Sequence, residues 1–251
     1  MSTPKPAILL VPGAWHQGKT WEPVTSLLQD QGYYVEPVTL PSAGGPPSTS
    51  VADDAAYIRS NHLERLVAQG REVIIVMHSY GGVPGTESVK GLARKDIATQ
   101  GKPGGVIALV YTAAFMIPGG QSLAESLPSD TPSLISPVMD GDATQANDPR
   151  FHFYNDLDDE TAAKYVDALV HHAMPSFMTP FTYEAYRDVP ATYLFCERDE
   201  AIRPNFQREM VANAGDNVVR TYTCASGHSP MLSVPEKVFE VIHDTAILAR
   251  S

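Results

Sequence analysis

Cysteine, basic residues and long apolar runs are all scarce in this chain of 251 residues. Its two cysteines, Cys196 and Cys224, are too few for a disulfide framework, and each ends an apolar run, so we expect two small buried side chains. Lysine and arginine number 18 against 29 aspartate and glutamate, which gives a net charge of −11. Because that charge repels a polyphosphate backbone, the composition argues against nucleic acid as a partner.

No part of the sequence stays apolar for the roughly 18 residues that a membrane span requires. The apolar run at 7–11 is short, the first residues lack the features of a secretory signal, and no Asn-x-Ser/Thr acceptor occurs. These absences predict a cytoplasmic protein without a membrane partner. Hydrophobic residues at 43% and charged residues at 19% are typical of a packed globular protein, and a chain of about 250 residues suits a single α/β domain.

Apolar, β-rich runs alternate along the chain with stretches long enough for helices. The predicted strands lie at 7–11, 33–40, 73–77, 106–112, 192–196 and 218–224. The predicted helices lie at 20–32, 51–70, 82–100, 205–215 and 234–250. Several strands are apolar almost throughout, as expected of strands buried on both faces. The alternation therefore predicts an α/β fold with a mostly parallel sheet flanked by helices.

The segment 118–190 breaks this alternation, because it is rich in Pro, Ser and Asp and contains no convincing strand. Apolar residues recur in it at helical spacing after an acidic start, namely Ala162, Tyr165, Val166, Leu169 and Val170. About 70 structureless residues would be unusual inside a compact domain. We therefore predict one domain over 1–251, with an inserted, partly helical cap at about 118–190.

Residues 13–20 match the phosphate-binding pattern G-x-x-x-x-G-K-T, between a predicted strand and a predicted helix. Trp15 and His16 are bulky where the backbone would wrap around phosphates. None of the central apolar runs ends in the Asp that would hold Mg²⁺, although Asp199 lies three residues past the last of them. A nucleotide-binding enzyme is therefore a disfavoured alternative.

A second motif, VIIVMHSYGG, has Ser79 at its centre. An apolar strand precedes Ser79, and Gly81 and Gly82 open a helical stretch, which is the setting of a nucleophile elbow. The elbow pattern G-x-S-x-G is broken at Met77, whose side chain must point away from the turn. An ordinary serine at a helix N-terminus would give a similar short pattern, so the other catalytic partners decide between the two.

A serine nucleophile needs a base, and the base needs an acceptor that fixes its tautomer. Asp199 follows the predicted strand 192–196, and His228 follows the last predicted strand. Both therefore lie at the carboxyl ends of the strands, where sites in parallel sheets form. The order Ser, Asp, His is that of the hydrolase fold. Glu197 and Glu200 flank Asp199 but have poorer spacing.

The remaining histidines have less specific interpretations. We expect His78 to diverge from the Ser79 hydroxyl as a pocket wall or packing residue, and His171 and His172 to lie on the cap helix. No group of His, Cys and carboxylates has metal-ligand spacing, and the Gly-x-Gly-x-x-Gly dinucleotide pattern is missing. The sequence therefore predicts neither a metal nor a cofactor.

Four segments, VPGAWHQGKTW, VMHSYGG, CERDEAI and GHSPMLSVPEKV, together resemble the α/β-hydrolase superfamily. The resemblance is greatest to the branch of plant methylesterases, hydroxynitrile lyases and their microbial relatives. It implies that the backbone N–H groups of Ala14 and Tyr80 form the oxyanion hole, and that residues 13–20 are the oxyanion loop. Met77 and Pro12, where members often have His, depart from the family pattern.

The expected function is hydrolysis of a small, largely apolar carboxylic ester or lactone through an acyl-enzyme on Ser79, with Asp199 and His228 as its catalytic partners. The residues expected to bind this small-molecule substrate are Trp15, His16, His78, Phe177, Met178 and Phe181.

Two other activities of the fold stay open. One is a C–C lyase on the same triad, but such lyases carry Lys after the catalytic His and Thr in place of the oxyanion-loop Gly, where this chain has Ser229 and Gly13. The other is a receptor-like binding module. The sequence does not decide the oligomeric state, and a homodimer stays open.

Overall fold

The computed structural model describes residues 4–129, 131 and 133–250. The strands along these residues are β1 (Ala7–Val11), β2 (Tyr34–Pro37), β3 (Glu72–Ser79), β4 (Gly105–Ala114), β5 (Ile135–Val138), β6 (Ala143–Ala146), β7 (His172–Ala173), β8 (Ala191–Cys196) and β9 (Val218–Cys224). The α-helices are α1 (Glu22–Asp30), α2 (Val51–Ile58), α3 (Glu64–Ala68), α4 (Gly82–Glu87), α5 (Arg94–Thr99), α6 (Leu123–Ser126), α7 (Pro149–His152), α8 (Asp159–Asp167), α9 (Pro175–Met178), α10 (Pro204–Ala214), α11 (Pro230–Ser233) and α12 (Pro235–Leu248).

The central sheet has six strands in the order β2-β1-β3-β4-β8-β9, and every neighbouring pair is parallel. All residues of β1, β4 and β8 are buried, as their apolar sequences predict. Successive residues point to opposite faces, so Ile8 and Leu10 pack in one core and Leu9 and Val11 in the other. The predicted mostly parallel sheet with flanking helices is confirmed, and the architecture is the α/β-hydrolase fold.

The helices cover both faces of this sheet. The α1 and α12 helices bury Leu28 and Val241 with Ile8 on one face, whereas α2 and α4 bury Ile58 and Val83 on the other. The predicted helix 82–100 is divided into α4 and α5. None of the helices in the described ranges is long and apolar enough to cross a membrane.

The segment between β4 and β8 differs from the expectation that it contains no convincing strand. Strands β5, β6 and β7 form a separate antiparallel sheet, so this part of the prediction is wrong. The predicted helix exists as α8, capped by Asp158, whose side chain accepts the N–H of Thr161. That helix ends at Asp167, so neither His171 nor His172 lies on a cap helix as predicted: His172 lies in β7, and His171 directly precedes that strand.

Candidate active site

Ser79 ends β3, immediately before α4 begins at Gly82. Its backbone φ is 51°, in the left-handed region that a non-glycine residue adopts only under structural constraint. The constraint comes from close packing, since a Cβ on Gly81 would lie 2.5 Å from the Pro12 carbonyl oxygen and one on Gly82 would lie 2.2 Å from that of Phe115. This is the geometry of a nucleophile elbow, and it exposes the Ser79 side chain to a cavity.

Met77 is accommodated at the elbow by a glycine on the next helix. A Cβ on Gly85 would lie 2.6 Å from the Met77 sulfur and 2.7 Å from its Cγ, so the methionine side chain occupies the space that Gly85 leaves. Met77 is fully buried there. The departure from the G-x-S-x-G pattern is therefore absorbed by α4, away from the Ser79 hydroxyl.

Asp199 and His228 are in direct contact. The Nδ1–H of His228 donates to Oδ2 of Asp199 at 2.8 Å, and both side chains are almost fully inaccessible to solvent. Asp199 follows β8 and His228 follows β9, which are adjacent strands, so the sheet places the two loops side by side. With Nδ1 protonated, Nε2 of His228 carries the ring's lone pair, and no described residue, Ser79 included, is hydrogen-bonded to it.

The Asp199 carboxylate is fixed by further donors. Its Oδ1 accepts the backbone N–H groups of Ala201 and Ile202, both at 2.8 Å. Its Oδ2 also accepts Nε2–H of Gln207 at 3.0 Å. Gln207 is fully buried in α10, and its Oε1 accepts the N–H of Cys196 at 3.1 Å. The amide therefore ties the carboxylate to the end of β8.

No hydrogen bond joins either neighbouring glutamate to His228 in the described part of the chain. Glu197 forms a surface ion pair with Arg208 at 2.5 Å. Glu200 contributes its backbone oxygen to a 3.1 Å hydrogen bond with Nδ1 of His152. Asp199 is the carboxylate that contacts His228.

The loop of residues 13–20 follows β1 and approaches the turn at Ser79 closely. A Cβ on Gly13 would lie 2.8 Å from the Ser79 Cβ, so only glycine fits at this position without displacement. In the described part of the chain, no acceptor lies in hydrogen-bonding geometry to the backbone N–H of Ala14 or of Tyr80. Both residues line the same cavity as Ser79.

Trp15 holds this loop against the inserted segment. Its φ is 63°, a second left-handed non-glycine residue at the site. The indole N–H donates to the Thr144 hydroxyl at 3.0 Å, the backbone N–H donates to Nδ1 of His172 at 3.3 Å, and the ring stacks on Phe153. The strained backbone is therefore fixed by contacts with β6, β7 and the segment after α7.

Three buried histidines surround the site in neutral form. Burial lowers the pKa of His16 to about 4 and that of His172 to about 3, and it lowers the pKa of His78 well below its usual range. Neutral His16 donates Nδ1–H to the Ala14 carbonyl at 2.7 Å and accepts the Tyr154 hydroxyl. His78 donates Nε2–H to the His228 carbonyl at 2.8 Å, which links the loop that carries His228 to the end of β3.

The loop 13–20 does not form a phosphate cradle. Several of its backbone N–H groups are already engaged: His16 donates to the Gly13 carbonyl, Gly18 to the Thr39 hydroxyl and Thr20 to the Gln17 carbonyl. Since a phosphate-binding loop needs these groups free, the G-x-x-x-x-G-K-T match does not correspond to a nucleotide site. Within the described ranges, no group of His, Cys, Asp and Glu is arranged to hold a metal ion.

A cavity of about 410 Å³ opens over Ser79. Its lining is apolar and aromatic with a few hydroxyl groups, and among the described residues it contains no charged side chain: Ala14, Trp15, Ser79, Tyr80, Phe115, Leu123, Ala124, Leu127, Pro128, Ser129, Thr131, Ser133, Leu134, Ile135, Phe153, Phe177 and Met178. Much of this wall comes from the segment between β4 and β8. Such a cavity suits a small, largely apolar, uncharged ligand.

The expected substrate-binding residues divide into two groups. Trp15, Phe177 and Met178 line the cavity. His16, His78 and Phe181 are buried outside its lining, the two histidines because they hydrogen-bond to backbone carbonyls and Phe181 because it packs in the core. We therefore leave these three out of the substrate-binding set.

Several relatives share this architecture. A model of the α/β-hydrolase family matches residues 8–241. The α/β hydrolase nvfD of Aspergillus novofumigatus is 32% identical over 246 residues, covering 96% of this chain and 97% of that protein. Methyl jasmonate esterase 1 of Vitis vinifera is 26% identical, covering 90% of this chain and 91% of that protein. A pyrethroid hydrolase from Sphingobium faniae JZ-2, known from its crystal structure, has a TM-score of 0.75 at 24% identity, covering 96% and 97%.

With a family model matched over residues 8–241, this chain belongs to the α/β-hydrolase family. Hydrolases and esterases are among its relatives, and small molecules are the expected substrates of such proteins.

Proposed function

We propose that this protein is a serine hydrolase that cleaves small, largely apolar carboxylic esters or lactones through an acyl-enzyme. The observation that carries the proposal is the buried contact between His228 and Asp199. His78 donates to the His228 carbonyl, and the next residue, Ser79, has a left-handed φ and lines a cavity in which no described side chain is charged. In this proposal the segment 118–190 acts as the cap that forms much of the cavity wall.

In the proposed mechanism, Nε2 of His228 takes the Ser79 proton as Oγ attacks the ester carbonyl carbon. Asp199 holds the imidazole in the required tautomer and stabilises its positive charge, and Gln207 keeps the carboxylate in place. His228 then protonates the leaving alcohol, and water repeats the sequence on the acyl-enzyme.

The negative charge that develops on the carbonyl oxygen would be held by the N–H groups of Ala14 and Tyr80. Donors fixed in advance in a site that excludes water stabilise such charge strongly. Support comes from the packing of Gly13 against Ser79 and from the anchoring of Trp15, which fix the loop that carries Ala14.

Hydrolysis is favoured over C–C lyase activity by the same packing. A threonine in place of Gly13, as lyases of this fold carry, would put its Cβ 2.8 Å from the Ser79 Cβ and 3.1 Å from Nδ1 of His78. The residue after His228 is Ser229, which is fully buried, where such a lyase has lysine. The same geometry would serve a receptor-like module, from which multiple turnover distinguishes an enzyme.

The test is turnover of a panel of aryl and methyl esters and lactones by the wild-type protein and by Ser79→Ala. We expect sustained turnover by the wild type and loss of nearly all of it in the variant, because triad members act as a unit. Ser129→Ala is the matched control, since Ser129 lines the same cavity without the elbow geometry, and it should retain activity. Equal activity in wild type and Ser79→Ala would contradict the proposal, and binding without turnover would favour the receptor-like module.

A further inference from the structure

A buried carboxylate outside the proposed triad contacts the residue that follows the nucleophile. Asp54 of α2 is fully buried. Its Oδ2 accepts the Tyr80 hydroxyl at 2.8 Å and the Ser42 hydroxyl at 2.5 Å, and its Oδ1 accepts the Ser42 backbone N–H at 3.0 Å. All three donors are neutral groups. A buried carboxylate without a cationic partner is costly for folding, which suggests that it serves the site.

Tyr80 is held at both ends of its side chain. Its ring packs edge-on against His172 with the centroids 4.8 Å apart and against Phe177 at 5.5 Å, and its hydroxyl is bound to Asp54. The Tyr80 pKa is raised well above its usual range, by burial first and then by the Asp54 charge, so the phenol stays protonated and donates.

The Ser42 loop connects this arrangement to the inserted segment. The Ser42 carbonyl accepts the Ala173 N–H at 2.9 Å, the Gly44 N–H donates to the His171 carbonyl at 2.8 Å, and Ala43 pairs with His172. Strand β7 therefore adds onto the loop that Asp54 holds. Because the Asp54 carboxylate binds both Tyr80 and Ser42, it fixes Tyr80 relative to strand β7.

We infer that Asp54 is a positioning residue for the proposed ester hydrolysis: through the Tyr80 hydroxyl it fixes the Tyr80 backbone N–H against the substrate carbonyl oxygen. The inference rests on the proposed function. Tyr80 follows a residue with left-handed φ, and a tether at the far end of its ring restricts how its peptide can rotate. Oxyanion donors are effective only when they are held in place before the reaction.

The arrangement responds to pH in a defined direction. Burial raises the pKa of Asp54 to about 6, against the hydrogen bonds from Ser42 and Tyr80 that lower it. Among the described residues, the titratable groups that act on it are Tyr80, through its hydroxyl, and the exposed Asp53 of the same helix, whose charge also raises the pKa. Above about pH 6 the ionised carboxylate accepts three hydrogen bonds. Below about pH 6 one of its oxygens carries a proton, so the neutral carboxyl group resembles the side-chain amide of asparagine.

The test measures kcat on an aryl ester for the wild type and for Asp54→Asn at several pH values between 5 and 8. The quantity compared is the ratio of the wild-type kcat to the variant kcat at each pH. We expect about tenfold lower kcat for the variant at pH 8 with KM changed less than about threefold, because an interaction made in the transition state is weakened. The ratio should fall towards one as pH falls through about 6, since the wild-type carboxyl is then protonated. Because the two proteins are compared at the same pH, effects of pH that both share cancel in the ratio.

Two further variants separate positioning from a general structural effect. Asp53→Asn removes the neighbouring exposed carboxylate, and the ratio of wild-type to Asp53→Asn kcat should be near one at pH 8, where Asp54 is ionised in both proteins. Because the Asp53 charge raises the pKa of Asp54, this variant should keep the pH-dependent change but shift it to lower pH. Tyr80→Phe keeps the backbone N–H and the ring but loses the phenolic hydroxyl, so it should lower kcat as Asp54→Asn does. The double variant should have a kcat only slightly below that of either single variant.

A pH-independent ratio, or additive losses in folded double variants, would overturn the inference while wild-type turnover still supported the proposed function. Absence of ester turnover in the wild type would instead defeat the proposed function itself.

Discussion

At the scale of single residues, two polar side chains interrupt the apolar faces of predicted helices. Asp54 shares the buried face of α2 with Val51 and Ile58, and Gln207 shares that of α10 with Met210. The helical period of the sequence marks both as buried polar groups, which normally require hydrogen-bond partners. Their partners could not be predicted, because Tyr80 and Asp199 come near them only through the topology of the sheet.

The choice of acid is a residue-scale prediction. Asp199→Asn should leave the fold intact but favour the wrong tautomer of His228, lowering kcat on the order of 10⁴-fold by analogy with serine proteases. Glu197→Gln is the matched control, since Glu197 pairs with Arg208 at the surface, and it should change kcat only slightly. Ester kinetics of the two purified variants provide the measurement. The reverse ranking would move the acid role to Glu197.

At the scale of elements, the elbow depends on complementary sizes across β3 and α4. Gly85→Ala should destabilise the protein by about 1–3 kcal/mol, because the new methyl group meets Met77. In the background of Met77→Ala the same substitution should cost less, since the methyl group then fills vacated space. Urea unfolding of the four proteins measures this coupling.

Gly119→Ala is the control for Gly85→Ala, because the nearest atoms to its Cβ lie at 3.4 Å, an ordinary contact. Equal costs of Gly85→Ala in both Met77 backgrounds would show that the two residues are not coupled.

The elements differ in how far the sequence predicts them. Strands β1, β3, β4 and β8 are largely apolar runs whose burial on both faces makes them easy to recognise in the sequence. Strands β5, β6 and β7 are two to four residues long and include Pro137, so they are too short to produce a recognisable pattern of alternating apolar residues. They form because they pair with one another and because β7 adjoins the Ser42 loop, which are long-range contacts invisible to a local pattern.

At the scale of the whole molecule, the inserted segment is bonded to the loops of both proposed catalytic partners. Asn155 donates to the Arg198 carbonyl at 2.9 Å, and the Gly227 N–H donates to Asp156 at 2.6 Å. Residues 198 and 227 directly precede Asp199 and His228. The chain order Ser, Asp, His was readable from the sequence, whereas this cross-connection needed the folded structure. The inserted segment, which forms much of the cavity wall, is therefore hydrogen-bonded to the loops that carry Asp199 and His228.

The central claim is that Ser79 is the activated nucleophile of an assembled hydrolase site. Its most direct test is reaction with a fluorophosphonate followed by peptide mapping of the adduct. A hydroxyl beside a working base and facing an oxyanion hole is far more reactive than the other serines of the chain. We predict one adduct per chain, on Ser79, and its loss in His228→Ala. A protein that hydrolyses esters but carries its adduct on another residue, or carries none, would contradict the account.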